Sequence, residues 1–236
     1  ASLVGSEMCI RDRNGFDYCP ISDSNNVIAD APNHPGIRMV TIKPTVKLSP
    51  QEYAEGSWQQ PTTENAPKFS AAAYHYALTL QRTLQIPIGV ITCAWGGSRV
   101  EGWLPKEILQ TYKDEDLTLI GSDKTPVYLQ SMLMYNGILY PCHKYTIKGF
   151  IWYQGESNVR SSRTYAERLA TMVKHWRSIW KQGDLPFYYV ETVPFACEYK
   201  EDGYIGALLR EAQQKALSLI PNSGMIGTCL LYTSPR

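Results

Sequence analysis

The sequence predicts an α/β fold, with a parallel central sheet carried between two helical layers. Three observations lead there. Short apolar runs rich in Ile, Val and aromatic residues (Ile88–Cys93, 147–153, Phe187–Val193) read as strands buried on both faces, and Ile37–Ile42 as a short strand beside them. Amphipathic helical stretches of 10–17 residues separate them, and no hairpin turn joins one strand to the next. Residues 147–158 are almost wholly apolar up to Tyr153, then turn polar at Gln154, Glu156, Ser157 and Asn158. Open α/β sheets place ligands at that carboxyl edge.

In chain order, 14–35 reads as an Asn-, Asp-, Ser- and Pro-rich loop with a helical turn around Ser24–Ala29. Ile37–Ile42 alternates and is bounded by prolines, as a short strand. Residues 44–68 give no element. Phe69–Leu84 is a helix capped by Ser70, with Phe69, Ala73, Tyr76, Ala77, Leu80 and Leu84 as its apolar stripe. After strand 88–93, helices are expected at Leu104–Tyr112 and Tyr128–Leu139. Thr164–Trp180 and Ile205–Ile220 are amphipathic helices, and a last strand begins at Met225. There is no internal repeat, so 14–227 reads as one domain.

With 44 % hydrophobic and 19 % charged residues, the 236-residue chain can bury a sizeable core. A net charge of +1, without a long basic run, argues against nucleic-acid or membrane-surface binding. No apolar stretch approaches the roughly 18 residues that span a bilayer, and no basic-then-apolar leader is visible at the start. Cysteines 9, 19, 93, 142, 197 and 229 lack CxxC spacing, so no metal site is expected, and buried free thiols are favoured over disulfides. Segments 1–13 and 228–236 resemble translated sequencing-adapter DNA. They are set aside from the fold, which is then expected to be incomplete at both ends.

Two strand ends carry the candidate chemistry, Trp95-Gly96-Gly97-Ser98 and Gln154-Gly155-Glu156-Ser157-Asn158. Parallel strands bring both to one edge. A glycine pair exposes backbone N–H groups, and an asparagine offers an amide; these are the parts of an oxyanion hole. The first motif, continued by Glu101-Gly102-Trp103, and the run Trp152-Tyr153-Gln154-Gly155-Glu156-Ser157-Asn158 resemble two conserved blocks of the sialate O-acetylesterases, members of the SGNH-hydrolase superfamily. The similarity spans roughly 14–227.

That resemblance implies a three-layer, flavodoxin-like SGNH fold and a serine esterase that needs no cofactor or metal. Its substrate would be an O-acetyl ester on sialic acid or a related sugar. The setting would be secreted, periplasmic or lysosomal. It assigns the oxyanion hole to Gly96 or Gly97 and to Asn158. Gln154, Glu156, Arg99 and Trp103 are candidates for substrate contacts. The family's nucleophile lies in a Gly-Gln-Ser-Asn block and its base in an Asp-x-x-His block. Neither motif occurs here, since the residues three before His34, His75, His143 and His175 are Ala31, Ala72, Tyr140 and Met172. The expectation is a fragment with half an active site. Ser157 fits a nucleophile elbow poorly, because Val159 stands where that turn needs glycine. A non-catalytic carbohydrate binder and an esterase for acetylated plant polysaccharide stay open as alternatives.

Overall fold

The computed structural model describes residues 24–193 and 204–227. Cys9, Cys19, Cys197, Cys229 and the two segments set aside above lie outside them. The elements are α1 (Ser24–Asp30), β1 (Ile37–Thr41), α2 (Ala71–Leu84), β2 (Ile88–Thr92), α3 (Lys106–Leu109), β3 (Phe150–Tyr153), α4 (Ser162–Trp180), β4 (Phe187–Val190), α5 (Ile205–Leu219) and β5 (Ser223–Ile226). Ser70 caps α2 as expected, its hydroxyl accepting from the Ala73 N–H.

All ladder pairs are parallel. β1 pairs with β2, and β3 with β4 and then β5. The described strands thus form two hydrogen-bonded groups rather than one sheet. Burial nonetheless aligns the groups. Ile37 and Met39 of β1 and Ile88 and Val90 of β2 pack with Tyr74 and Ala77 of α2, and Ile151 of β3 leans on the same cluster. The alternate residues Val40, Ile91, Phe150 and Trp152 face the other cluster, shared with α4 and α5. Period-two alternation therefore sends both groups to the same two layers, the α/β/α arrangement.

The second cluster is built on aromatic rings. Trp152 meets Trp103 and Trp176 edge-on at 6.0 and 5.5 Å, and Phe150 lies 5.4 Å from Trp176. Such offset contacts add to the large area each ring removes from water. On the far side of α4, Arg177 donates to the carbonyls of Leu185, Pro221 and Asn222, at 2.7–3.2 Å through Nη2. It fastens the segments leading into β4 and β5.

One expected helix does not form. Tyr128–Leu139 divides into a 3₁₀ turn at Val127–Leu129 and a π-helical turn at Tyr135–Leu139. Met132 sits at φ 71°, the left-handed region that interrupts a helix. The Gln130 side chain bonds the Gly121 N–H and the Ser122 and Thr125 carbonyls. At Gly137 the chain presses on the Thr45 carbonyl, where a Cβ would fall 2.1 Å from the oxygen.

Candidate active site

The first turn leaves β2 through Cys93. Ser98 closes it with N–H and hydroxyl bonds to the Trp95 carbonyl. Gly97 has φ 79°, which a side chain would strain. Gly96 is exposed and Gly97 buried. Among the described residues, no hydrogen-bond partner engages either glycine N–H.

The second turn leaves β3 through Gln154 and Gly155 into a 3₁₀ segment, Glu156–Ser161. Gly155 is required by close approach. A Cβ there would lie 2.4 Å from Thr192 Cγ2 and 3.0 Å from Leu209 Cδ2. Gln213 of α5 reinforces the spot, donating to the Gln154 carbonyl and accepting from the Thr192 N–H and hydroxyl.

The two turns are bonded directly. Ser157 Oγ donates to the Gly97 carbonyl at 2.7 Å, and Gln154 Nε2 to the Ser98 carbonyl at 2.9 Å. Asn158 Oδ1 accepts from the Val100 N–H at 2.9 Å and from Gln154 Nε2 at 2.7 Å. Tyr165 of α4 completes the set, its hydroxyl donating to Gln154 Oε1. Burial pushes that phenol well above its usual pKa, with the nearby Glu156 charge acting the same way, so it stays a neutral donor.

Beneath the turns lies a buried ionic network. Glu101 is fully buried; its carboxylate meets Arg168 Nη1 at 2.6 Å and Asn158 Nδ2 at 3.0 Å. Arg168 also reaches Asp114 at 2.6 Å and stacks on the Tyr112 ring. Arg99 binds Glu115 at 2.6 Å, Ser131 and the Leu129 carbonyl. Burial works against the charge on both arginines, but carboxylate hydrogen bonds and attraction outweigh it and hold both above their usual pKa. A cavity of about 430 Å³ opens here, lined among others by Arg99, Glu115, Ser131, Ser157, Arg160 and Ser161.

The predicted residues do gather at one place, yet several are turned otherwise than expected. Trp103 is fully buried; its Nε1 donates to Ser98 Oγ and its ring packs edge-on against Trp152, leaving no face for a sugar. Asn158 is also fully buried, with its amide hydrogens directed at Glu101 and Ser161. In this conformation it braces the turns and presents no hydrogen to a bound carbonyl. Gln154 is likewise buried and spent on internal bonds. Arg99 reaches the cavity wall with its guanidinium already committed to Glu115. Glu156 is buried within the second turn. Ser157 acts as a turn hydroxyl bonded to Gly97.

Sequence reasoning assigned no role to Glu101, Arg168, Tyr165 or Gln213. Two had a signal. Glu101 is a lone carboxylate among Val100, Gly102 and Trp103, and Arg168 falls three residues after Tyr165, on the apolar side of α4.

Turns joined in this way at the carboxyl edge of parallel strands place the chain among the α/β proteins that take their ligands at that edge. A solved carbohydrate acetylesterase from Xanthomonas citri matches with TM-score 0.76 and 26 % identity, covering 96 % of this chain and 49 % of that one. A solved Arabidopsis thaliana protein matches over 96 % of this chain and 84 % of its own, at TM-score 0.52 and 18 % identity, a likeness of fold. The family model described as carbohydrate esterase, sialic acid-specific acetylesterase matches residues 51–232, and the chain belongs to that family. The sialate O-acetylesterases of Pongo abelii and Homo sapiens are each 24 % identical over 225 residues, 88 % of this chain. The chain spans 43 % of the length of these two curated relatives.

Proposed function

We propose that this chain supplies the oxyanion side of a carbohydrate O-acetylesterase, which hydrolyses acetyl esters on sialic acid or a related sugar. The observation that carries the reading is the Gly96–Gly97 turn, whose two N–H groups are engaged by no partner among the described residues and which is locked to the second motif. Attack on an acetyl carbonyl moves charge onto its oxygen, and preorganised neutral donors stabilise that charge more in the transition state than in the bound ester. The Gly96 and Gly97 N–H groups take this role. Asn158 and Gln154 hold them by bracing the turn. The cavity beside Ser157 has the volume and polar lining for the sugar. The serine nucleophile and histidine base of the family pattern belong to motifs that this sequence does not contain, so the reaction needs residues supplied from the rest of the protein.

The test has two arms. The 236-residue chain alone should hydrolyse p-nitrophenyl acetate no faster than buffer; sustained turnover abolished by Ser157→Ala would overturn the division of labour. In the full-length protein, Gly96→Pro removes one donor and should lower kcat for an acetylated sialic acid by about 10²–10³. A loss below about threefold would show that the Gly96 N–H is no oxyanion donor.

A further inference from the structure

We propose that Glu101 and Arg168 form a positioning pair, which holds the Gly96–Gly97 turn in register through Asn158. The proposal rests on the oxyanion reading of that turn. Glu101 is 0 % exposed, and burying a carboxylate is costly unless cations and donors surround it. It has them: Arg168 Nη1 at 2.6 Å, Asn158 Nδ2 at 3.0 Å and Arg99 Nη1 at 3.7 Å.

Buried ion pairs stabilise folds poorly compared with apolar packing, and their well-attested use is to specify one arrangement. The connections here fit that use. Arg168 is fixed in α4, a helix of 19 residues whose apolar side is buried. Glu101 stands four residues after Gly97, in the 3₁₀ segment Val100–Trp103 that continues the first turn. Between them, Asn158 of the second turn donates to Glu101 and accepts from the Val100 N–H at 2.9 Å. The Ser157–Gly97 bond then runs back to the glycine pair. Thus one carboxylate ties the helix, the second turn and the first turn into a closed loop of bonds. Carboxylate and amide are planar groups, so the loop fixes orientation as well as distance. Glu101, Arg168 and Asn158 need not touch the substrate.

Glu101→Asp is the informative variant, because it keeps the charge and withdraws the carboxylate by one methylene. In the full-length protein it should lower kcat for an acetyl ester by about tenfold while KM stays within about threefold, the pattern of an interaction realised only in the transition state. Arg168→Met should lower kcat further, and adding Glu101→Gln to it should recover part of the loss by removing the unpaired charge. In the 236-residue chain, the Asn158 side-chain amide protons should move in the ¹H–¹⁵N spectrum of Glu101→Asp. An unchanged kcat per folded molecule, or an unmoved Asn158 amide, would overturn the proposal. A wild-type full-length protein inactive on every acetyl ester would defeat the oxyanion reading instead. In that case the Asn158 resonance alone decides the positioning claim: unmoved overturns it, moved sustains it.

Discussion

Gly155→Ala is a sharp test of how the second turn is built. The φ of 164° at position 155 lies outside the left-handed range that favours glycine, so no left-handed strain is invoked. Contact decides the outcome. The new methyl would lie 2.4 Å from Thr192 Cγ2, 3.0 Å from Leu209 Cδ2 and 3.2 Å from Gln213 Nε2. Thr192 must retreat by about 1 Å to restore ordinary van der Waals separation. It is 2 % exposed, and both its N–H and its hydroxyl are held by Gln213, so it has little room. Overpacking of this kind costs about 1–3 kcal/mol. Alanine recovers about 0.4–1 kcal/mol by restricting the unfolded chain. The clash wins, with a net loss of about 1–2 kcal/mol and a fall in Tm of about 2–8 °C for a chain of this size. Thermal unfolding followed by tryptophan fluorescence measures it. Thr192→Ser deletes the offending methyl and keeps the hydroxyl, so the double variant should recover about 1 kcal/mol relative to additivity. An unchanged or higher Tm for Gly155→Ala, or strict additivity in the pair, would refute the contact reasoning.

Two more predictions concern groups away from the turns. Burial lowers the pKa of His175, a smaller Glu107 attraction opposing it, while Nε2 lies 2.8 Å from the Tyr135 hydroxyl. The unfolded chain therefore binds this proton first as pH falls, and stability is lost below about pH 6.5. Tm measured from pH 7.5 to 5 should drop less for His175→Gln than for wild type, and parallel curves would contradict this. Cys93 and Cys142 are buried with Sγ atoms 3.9 Å apart; the hydrogen bond between them, then burial, pushes the Cys93 thiol up. Maleimide labelling read by peptide mapping should modify these two more than about tenfold faster in urea than in the native protein, and equal rates would contradict their burial.

Much of the architecture was readable because local pattern and tertiary environment agree. Strands such as Ile88–Thr92 are apolar on both faces because both faces are covered, and α4 carries its stripe at helical spacing. The Tyr128–Leu139 region misled because its apolar spacing is helical, while its backbone answers to distant groups, the Thr45 carbonyl and the loop at Gly121. At the two turns, residue types and strand direction indicated that the motifs meet at one edge, but not the direction of each side chain. Trp103 beside a glycine turn suggests a sugar platform until Trp152, 49 positions away, covers it. Asn158 suggests an open amide until Glu101, separated by 57 residues, claims it. Pairings over such spans arise only when the chain closes, and no local period records them.

The two buried arginines of α4 have a joint consequence. Arg168 works at the carboxyl edge and Arg177 at the amino edge, where it gathers the carbonyls entering β4 and β5. Nine residues of helix make about 13.5 Å, or two and a half turns, so the two side chains leave opposite sides of one rod. The helix therefore works like an axle keyed at both ends. A change in its apolar stripe, at Met172 or Trp176, would turn both keys at once. Damage in the middle of α4 should thus appear together in the order of the glycine turn and in the seating of the last two strands.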